Sequence, residues 1–254
     1  MKRIALILLS LVMVLSCVVA VPFSVAAENA TATGADESLV GFKPEAVKEI
    51  DTTGAITMTE YCAGDYGFET DSKTAVALTV TINSADEFEM FANRVNAGDY
   101  FLKKTVVLTA DIDMNDRTNN TTALNTIGAL SRKGTQVANA NVSFRGTAFY
   151  GGGHTISNYV VNTDTTYDST TFGLFGLIYS QVYDLRLDNT CEFITSKALS
   201  DTGCAGTIVG YLSNLDVVGA VINCYSEATM TLTGVAGRRT GVGGIVGSSM
   251  AGAQ

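Results

Sequence analysis

Apolar residues occupy alternate positions from 76 to 82: Val76, Leu78, Val80 and Ile82 share one face, and Ala75, Ala77, Thr79 and Thr81 share the other. That period of two predicts a strand. The period changes immediately afterwards. Phe88, Phe91, Ala92 and Val95 recur at i, i+3, i+4 and i+7, the apolar stripe of a helix. Ser84-Ala85-Asp86-Glu87 supplies a capping box, with Ser84 accepting a backbone N–H and Glu87 reaching back. Asn96-Ala97-Gly98 supplies the stop, so the helix is expected over about 84–97. Beyond Gly98 the pattern is β throughout: Val106 to Leu108, Ile112 with Met114, Phe144 to Tyr150, Ile156, Tyr159 to Val161, and Val182 to Leu187. No second helical stripe is expected. A single amphipathic helix at the head of a β-rich chain suits the covering of an open sheet edge or core end.

The last third repeats itself. Phe172-Gly173-Leu174-Phe175-Gly176 is followed by Gly206-Thr207-Ile208-Val209-Gly210 and then by Gly243-Gly244-Ile245-Val246-Gly247, with terminal glycines 34 and 37 residues apart. After each of the first two units comes a short apolar run, Val182 to Leu187 and Ala220 to Cys224. A unit this small cannot bury its own apolar face, so units stack and share one core. Glycines Gly173, Gly176, Gly206, Gly210, Gly243, Gly244 and Gly247 are therefore expected to be structural, placed where the chain turns sharply or neighbouring coils come close. Asn223 is expected to join a polar ladder at a corner between coils.

These residues carry a resemblance. Phe144-Arg145-Gly146-Thr147-Ala148-Phe149-Tyr150-Gly151-Gly152-Gly153-His154-Thr155-Ile156-Ser157-Asn158 resembles a stretch of bacterial GLUG-motif surface proteins, and the three glycine units resemble the GLUG repeats. The opening helix followed by Leu108 to Met114 matches in order as well, so the resemblance spans about 82–250. It departs at Tyr150, where the family has Asp. The resemblance implies an all-β fold, a right-handed parallel β-helix with a short N-terminal capping helix, on a secreted or wall-attached protein. It carries no catalytic residue with it.

The N-terminus adds a compartment. Lys2 and Arg3 precede an apolar run from Ile4 to Val21, then Pro22 and the small-residue exit Val25-Ala26-Ala27. That is the order of a secretory signal peptide, with cleavage expected between Ala27 and Glu28. Val14-Leu15-Ser16-Cys17 imitates a lipidation site, but the apolar run continues after Cys17 where a polar tether is wanted. Residues 28–55, rich in Ala, Thr, Glu and Gly, read as a flexible leader, and residues 56–254 as the β domain. Removing Lys2 and Arg3 takes the net charge from −9 to −11. So acidic a chain disfavours nucleic acid as a partner. No later segment reads as a membrane span. The four remaining cysteines, Cys62, Cys191, Cys204 and Cys224, allow three disulfide pairings. We expect instead that Cys191, Cys204 and Cys224 act as small core fillers.

No constellation for chemistry is complete. Asp111, Asp113 and Asp116 open like a calcium loop, but Asp116 stands where Gly is needed and Thr122 where Glu is needed. His154 is the single histidine, without a nucleophile motif near it in sequence, and reads as a corner residue bonded to a neighbouring coil. Asp184 and Asp188 would need carboxylates from other coils to form a hydrolase pair. Arg238-Arg239 reads as a solvated turn. The expectation is a non-enzymatic protein of the cell exterior, with no metal or cofactor, acting in adhesion or as a presenting scaffold, with matrix or host glycans or proteins as partners. The alternative is a carbohydrate-active β-helix enzyme, a lyase or hydrolase. The third glycine unit stops short of its partner strand at Gln254, so further coils and an attachment module are expected in the gene product.

Overall fold

The computed structural model describes residues 46–64, 66, 74–130, 141–162, 171–195, 203–214, 217–232, 241–250 and 252–253. The chain divides into two units, residues 1–43 and 44–254, and every described residue belongs to the second. The Ala27–Glu28 junction, Cys17 and Arg238-Arg239 therefore lie outside the described residues.

Among the described residues the fold is all-β in character, with two α-helices, one 3-10 turn at Met114–Asp116, and sheets built almost entirely of parallel strands. One six-stranded sheet runs in strict chain order: Ile56–Thr57, Leu78–Ile82, Lys104–Leu108, Ala148–Tyr150, Gln181–Tyr183 and Ala220–Ile222. After each of the last three strands the chain makes a pass through four further sheets. The pass from Ala148 lays down Thr155–Ser157, Val160–Asn162, Thr171–Phe172 and Phe175–Ile178. The pass from Gln181 adds Arg186–Leu187, Glu192–Thr195, Cys204–Ala205 and Val209–Leu212 beside them, and the pass from Ala220 adds Tyr225–Ser226, Thr229–Leu232, Gly241–Val242 and Val246–Ser249. Like residues fall into rows along this register. Val106, Phe149, Val182 and Val221 form one row, Val161, Phe193 and Met230 another, and Phe175, Val209 and Val246 a third.

The helix Ala85–Asn96 buries Phe88, Phe91, Ala92 and Val95. Phe91 alone meets Phe101, Phe144, Phe149 and Phe175, with ring centroids 5.2–6.4 Å apart. Edge-to-face contacts of this kind add to the burial of large apolar area. Ser84 caps the helix by accepting the Glu87 N–H at 3.3 Å, as expected. The Glu87 carboxylate, however, does not close the box onto Ser84. It is buried and accepts from Asn83 N (3.0 Å), Thr59 N (3.2 Å) and Thr59 Oγ1 (2.9 Å). Those bonds tie it to a second helix, Met58–Ala63, which the stripe criterion passes over because six residues are too few for one. The signal was nonetheless present: Thr57-Met58-Thr59-Glu60 is a capping box, and both of its bonds form (2.8 and 3.1 Å).

Three further expectations are corrected. Val76 is 63% exposed and precedes the strand, which begins at Leu78. Phe144 to Tyr150 is not one strand; only Ala148–Tyr150 is, while Phe144 makes an isolated bridge to Ile178. Val182 to Leu187 is two strands, because Asp184 takes φ +52° and turns the chain. Asn223, at φ +53°, turns the next pass at the same place and donates its side-chain amide to Asp184. The polar corner ladder expected at Asn223 is thus shared with an aspartate. Residues such as Asn and Asp reach the left-handed region most readily after glycine.

Candidate functional site

Residues 46–55, the described part of the leader expected over 28–55, form a strap that brings Lys48 and Ile50 onto the outer face of the six-stranded sheet. On that face the outward residues of successive strands are Thr81, Val107, Tyr150, Tyr183 and Ile222 in one row, and Thr79, Thr105, Ala148, Gln181 and Ala220 in the next. Tyr150 and Tyr183 stack with centroids 4.8 Å apart at 9°. The Lys48 ammonium sits 5.1 and 5.4 Å from the two ring centres and donates to Tyr150 Oη at 3.0 Å. Its backbone N–H donates to Asp184 Oδ2 at 3.1 Å. The hydrogen bond from Lys48 to Tyr150 raises the lysine's pKa above the usual value, and burial raises that of Tyr183. Ile50 packs on Val107, Ala148 and Tyr150.

Where the strap re-enters the sheet, it leaves an open groove of about 490 Å³. Thr79, Thr105 and Thr147 form its floor, Thr53 and Ala55 one side, and Lys103, held at φ +59°, its exposed rim. The adjoining segment carries Arg145, whose guanidinium lies 3.9 Å from the centre of the Tyr100 ring and 5.0 Å from that of Tyr179. Its Nε donates to the buried Ser143 Oγ at 2.9 Å. Groove, rim and strap were not legible as a site in the sequence, since their residues come from four separate stretches; the strap's only local signal is Lys48 followed by Ile50.

The residues singled out for chemistry scatter. His154 Nδ1 lies 3.3 Å from Asp111 Oδ1, a contact between neighbouring passes at a corner, and Asp111 also accepts Thr155 N at 2.9 Å. That backbone bond, with His154 next, lowers the Asp111 pKa. Asp113 accepts from Asn115 N and from Asn158 Nδ2, at 2.9 and 2.8 Å. Ile112 and Met114 point into the core. Among the described residues, no three His, Cys, Asp or Glu side chains converge as metal ligands. Asp184 is buried in its corner, whereas Asp188 has a carboxylate neighbour in the next pass. Asp188 and Glu227 follow directly on the paired residues Leu187 and Ser226. Each is engaged locally, Asp188 by Thr190 N at 3.0 Å and Glu227 by Tyr225 Oη at 2.8 Å.

The repeat glycines assemble in the order that the sequence spacing implies, with Gly176, Gly210 and Gly247 following the row Phe175, Val209 and Val246. A Cβ on Gly173 would strike Gly206 O, one on Gly176 Gly128 O, one on Gly206 Val209 O and one on Gly243 Val246 O. At Gly210 it would come within 2.7 Å of Phe172 N, and at Gly247 within 2.5 Å of Ala205 N. Gly244 is the exception: a Cβ there meets nothing within 4 Å, so close approach does not require it. One repeat escaped the sequence reading. Ile127-Gly128 bridges to Phe175-Gly176 as an earlier copy, with Gly176 N donating to Ile127 O at 2.9 Å. It lacks the leading glycine that marked the others.

All four described cysteines are free thiols. Cys191 is fully buried, donates to Ile156 O at 3.3 Å, and has its pKa pushed up by burial to about 11. No described helix is long and apolar enough to cross a membrane.

No family model matches this chain, and no curated protein matches it. Among solved structures it is similar to one described as a "putative immunoglobulin A1 protease" from Bacteroides ovatus, at 20% identity and a TM-score of 0.36. The match covers 71% of this chain and 57% of that one, so the chain spans a little over half of that protein's length.

Proposed function

We propose that this is a right-handed parallel β-helix of the cell exterior, secreted or surface-held, that works without catalysis in adhesion or as a presenting scaffold. The observation that carries the reading is the pass-by-pass addition of one parallel strand to each of five sheets, which makes long outer faces available for recognition. Parallel strands joined across one sheet connect right-handedly in nearly all known cases, which supports the hand. The signal-peptide pattern at residues 1–27 supports the location, and the GLUG resemblance supports the class. Antibody or protease access to intact source cells tests the location: the protein is expected in the culture medium or on accessible surface, with a mature N-terminus at Glu28. Recovery only from the cytosol, with Met1 retained, sinks the reading.

The neighbouring carboxylates Asp188 and Glu227 favour one second reading, a glycan-cleaving enzyme. Adjacent strand backbones stand about 4.8 Å apart, close to the about 5–5.5 Å between the carboxyl groups of a retaining pair. If that reading holds, Asp188→Asn and Glu227→Gln each abolish release of reducing ends from a panel of polysaccharides. On the reading we favour, the unaltered protein releases none.

A further inference from the structure

We propose that the groove beside the strap binds a terminal acidic sugar residue, with ring hydroxyls on the threonine floor and the carboxylate at Lys103. This rests on the reading of the outer faces as recognition surfaces and deepens it. Three observations carry it. First, the groove, at about 490 Å³, falls in the range of small-molecule clefts, and its floor is hydroxyl-bearing: Thr79 and Thr105 are paired across adjacent strands, and Thr147 enters from the next. Hydroxyls that both donate and accept suit a ligand that does the same.

Second, the one charged side chain lining the groove is cationic. Lys103 is exposed, on a chain with 25 acidic and 16 basic residues. A second cation stands on the next segment, since Arg145 N donates to Tyr100 O at 2.9 Å and Thr147 N to Lys104 O at 2.7 Å. Among the described residues, the half-buried Arg94 pairs with Asp99 and the buried Arg117 with Glu89, each at a shortest N···O distance of 2.8–2.9 Å. Arg145 is held instead between two tyrosine rings, and no carboxylate pairs with it among the described residues. Lys103 is therefore the cation that a ligand in the groove meets, while Asp51, a carboxylate of the strap, is engaged by Thr53 N at 2.8 Å. Third, a net charge of −9 opposes a polyanion, and far less a single carboxylate on an otherwise neutral sugar. That selects a terminal acidic residue over an acidic polymer.

The test is calorimetry or saturation-transfer NMR on the intact protein with methyl β-D-glucuronide, methyl β-D-glucoside and N-acetylglutamate. The glucuronide is expected to bind about two- to fivefold more tightly than either of the others, the size of one charged contact near a surface. Lys103→Asn removes the charge with a residue suited to φ +59°, so it keeps the fold; it is expected to bring the glucuronide down to the level of the glucoside. Thr105→Val is expected to weaken both sugars. Equal binding of glucuronide and glucoside, equal binding of N-acetylglutamate, no binding of any probe, or an unaffected Lys103→Asn variant each overturns the site. Cleavage of a bound chromogenic glucuronide would leave the site standing and sink only the non-catalytic reading, so the two failures are told apart.

Discussion

The first and last passes of this molecule share one hydrogen-bonding plan and differ in what fills it. Around the helix Ala85–Asn96 the interior is aromatic: Phe88, Phe91, Phe101, Phe144, Phe149 and Phe175 are all at or near zero exposure and meet ring on ring. In the last pass the same rows hold Val221, Cys224, Met230, Ile245 and Val246, each only partly buried. The backbone ladder is as regular there, with Val209 paired to Val246 and Leu212 to Ser249. Strand pairing alone therefore does not make a core; large side chains covered by the helix and by one another do. Stability is expected to fall along the stack from the helix outward, as in repeat proteins whose units lean on their neighbours.

The largest test of that gradient sets Phe91 against Val246. Phe91→Ala empties a site ringed by five aromatics and is expected to cost about 3–5 kcal/mol, whereas Val246→Ala should cost about 1 kcal/mol or less. Urea unfolding of the two variants measures the difference, and equal losses would remove the gradient. Replacing Phe88 and Phe91 together with Asp should leave no folded protein to measure.

Alkali gives the next effect. The Cys191 thiol is held neutral in the folded chain up to about pH 11, against an ordinary thiol value of 9.0. A raised folded value means that the stabilisation is complete below pH 9 and is lost as pH climbs through 11, in all about 2–3 kcal/mol. Cys191→Ala should reduce the loss in a melting series from pH 8 to 11 and leave the part due to Cys224, which burial also raises to about 11. A wild-type curve already flat over this window would contradict the buried, neutral thiol.

The smallest effect separates two glycines of the same repeats. Gly176→Ala must push against Gly128 O and should cost about 1–3 kcal/mol. Gly244→Ala, in open space, should change stability by no more than about 0.5 kcal/mol. Thermal melts of the pair decide whether close approach or mere sequence habit keeps these glycines.

How much of this was legible in the sequence follows the range of the forces involved. The long helix was readable because its stripe and cap are local, and the ladder of Gly176, Gly210 and Gly247 because stacking repeats its signature. The early copy at Ile127-Gly128 was hidden because it lacks the first glycine that marks the others. The splits at Asp184 and Asn223 were missed because apolar runs say nothing of backbone sign. The short helix was missed because a six-residue element has no period to detect, although its capping box was plain. The candidate site was the least legible: Thr53, Thr79, Lys103 and Thr147 meet only through the register of parallel strands, and register is a property of the whole stack.

The strap has a consequence for the order in which the molecule is made. Lys48 is bonded to Asp184, 136 positions later in the chain. A polypeptide emerging amino end first carries residues 46–55 long before Tyr150, Tyr183 and Asp184 exist to receive them. Contacts of such separation close late and slowly, because the intervening loop must be ordered before they repay it. The sheet's outer face is then bare while the first passes form, and the strap, synthesised early, docks among the last.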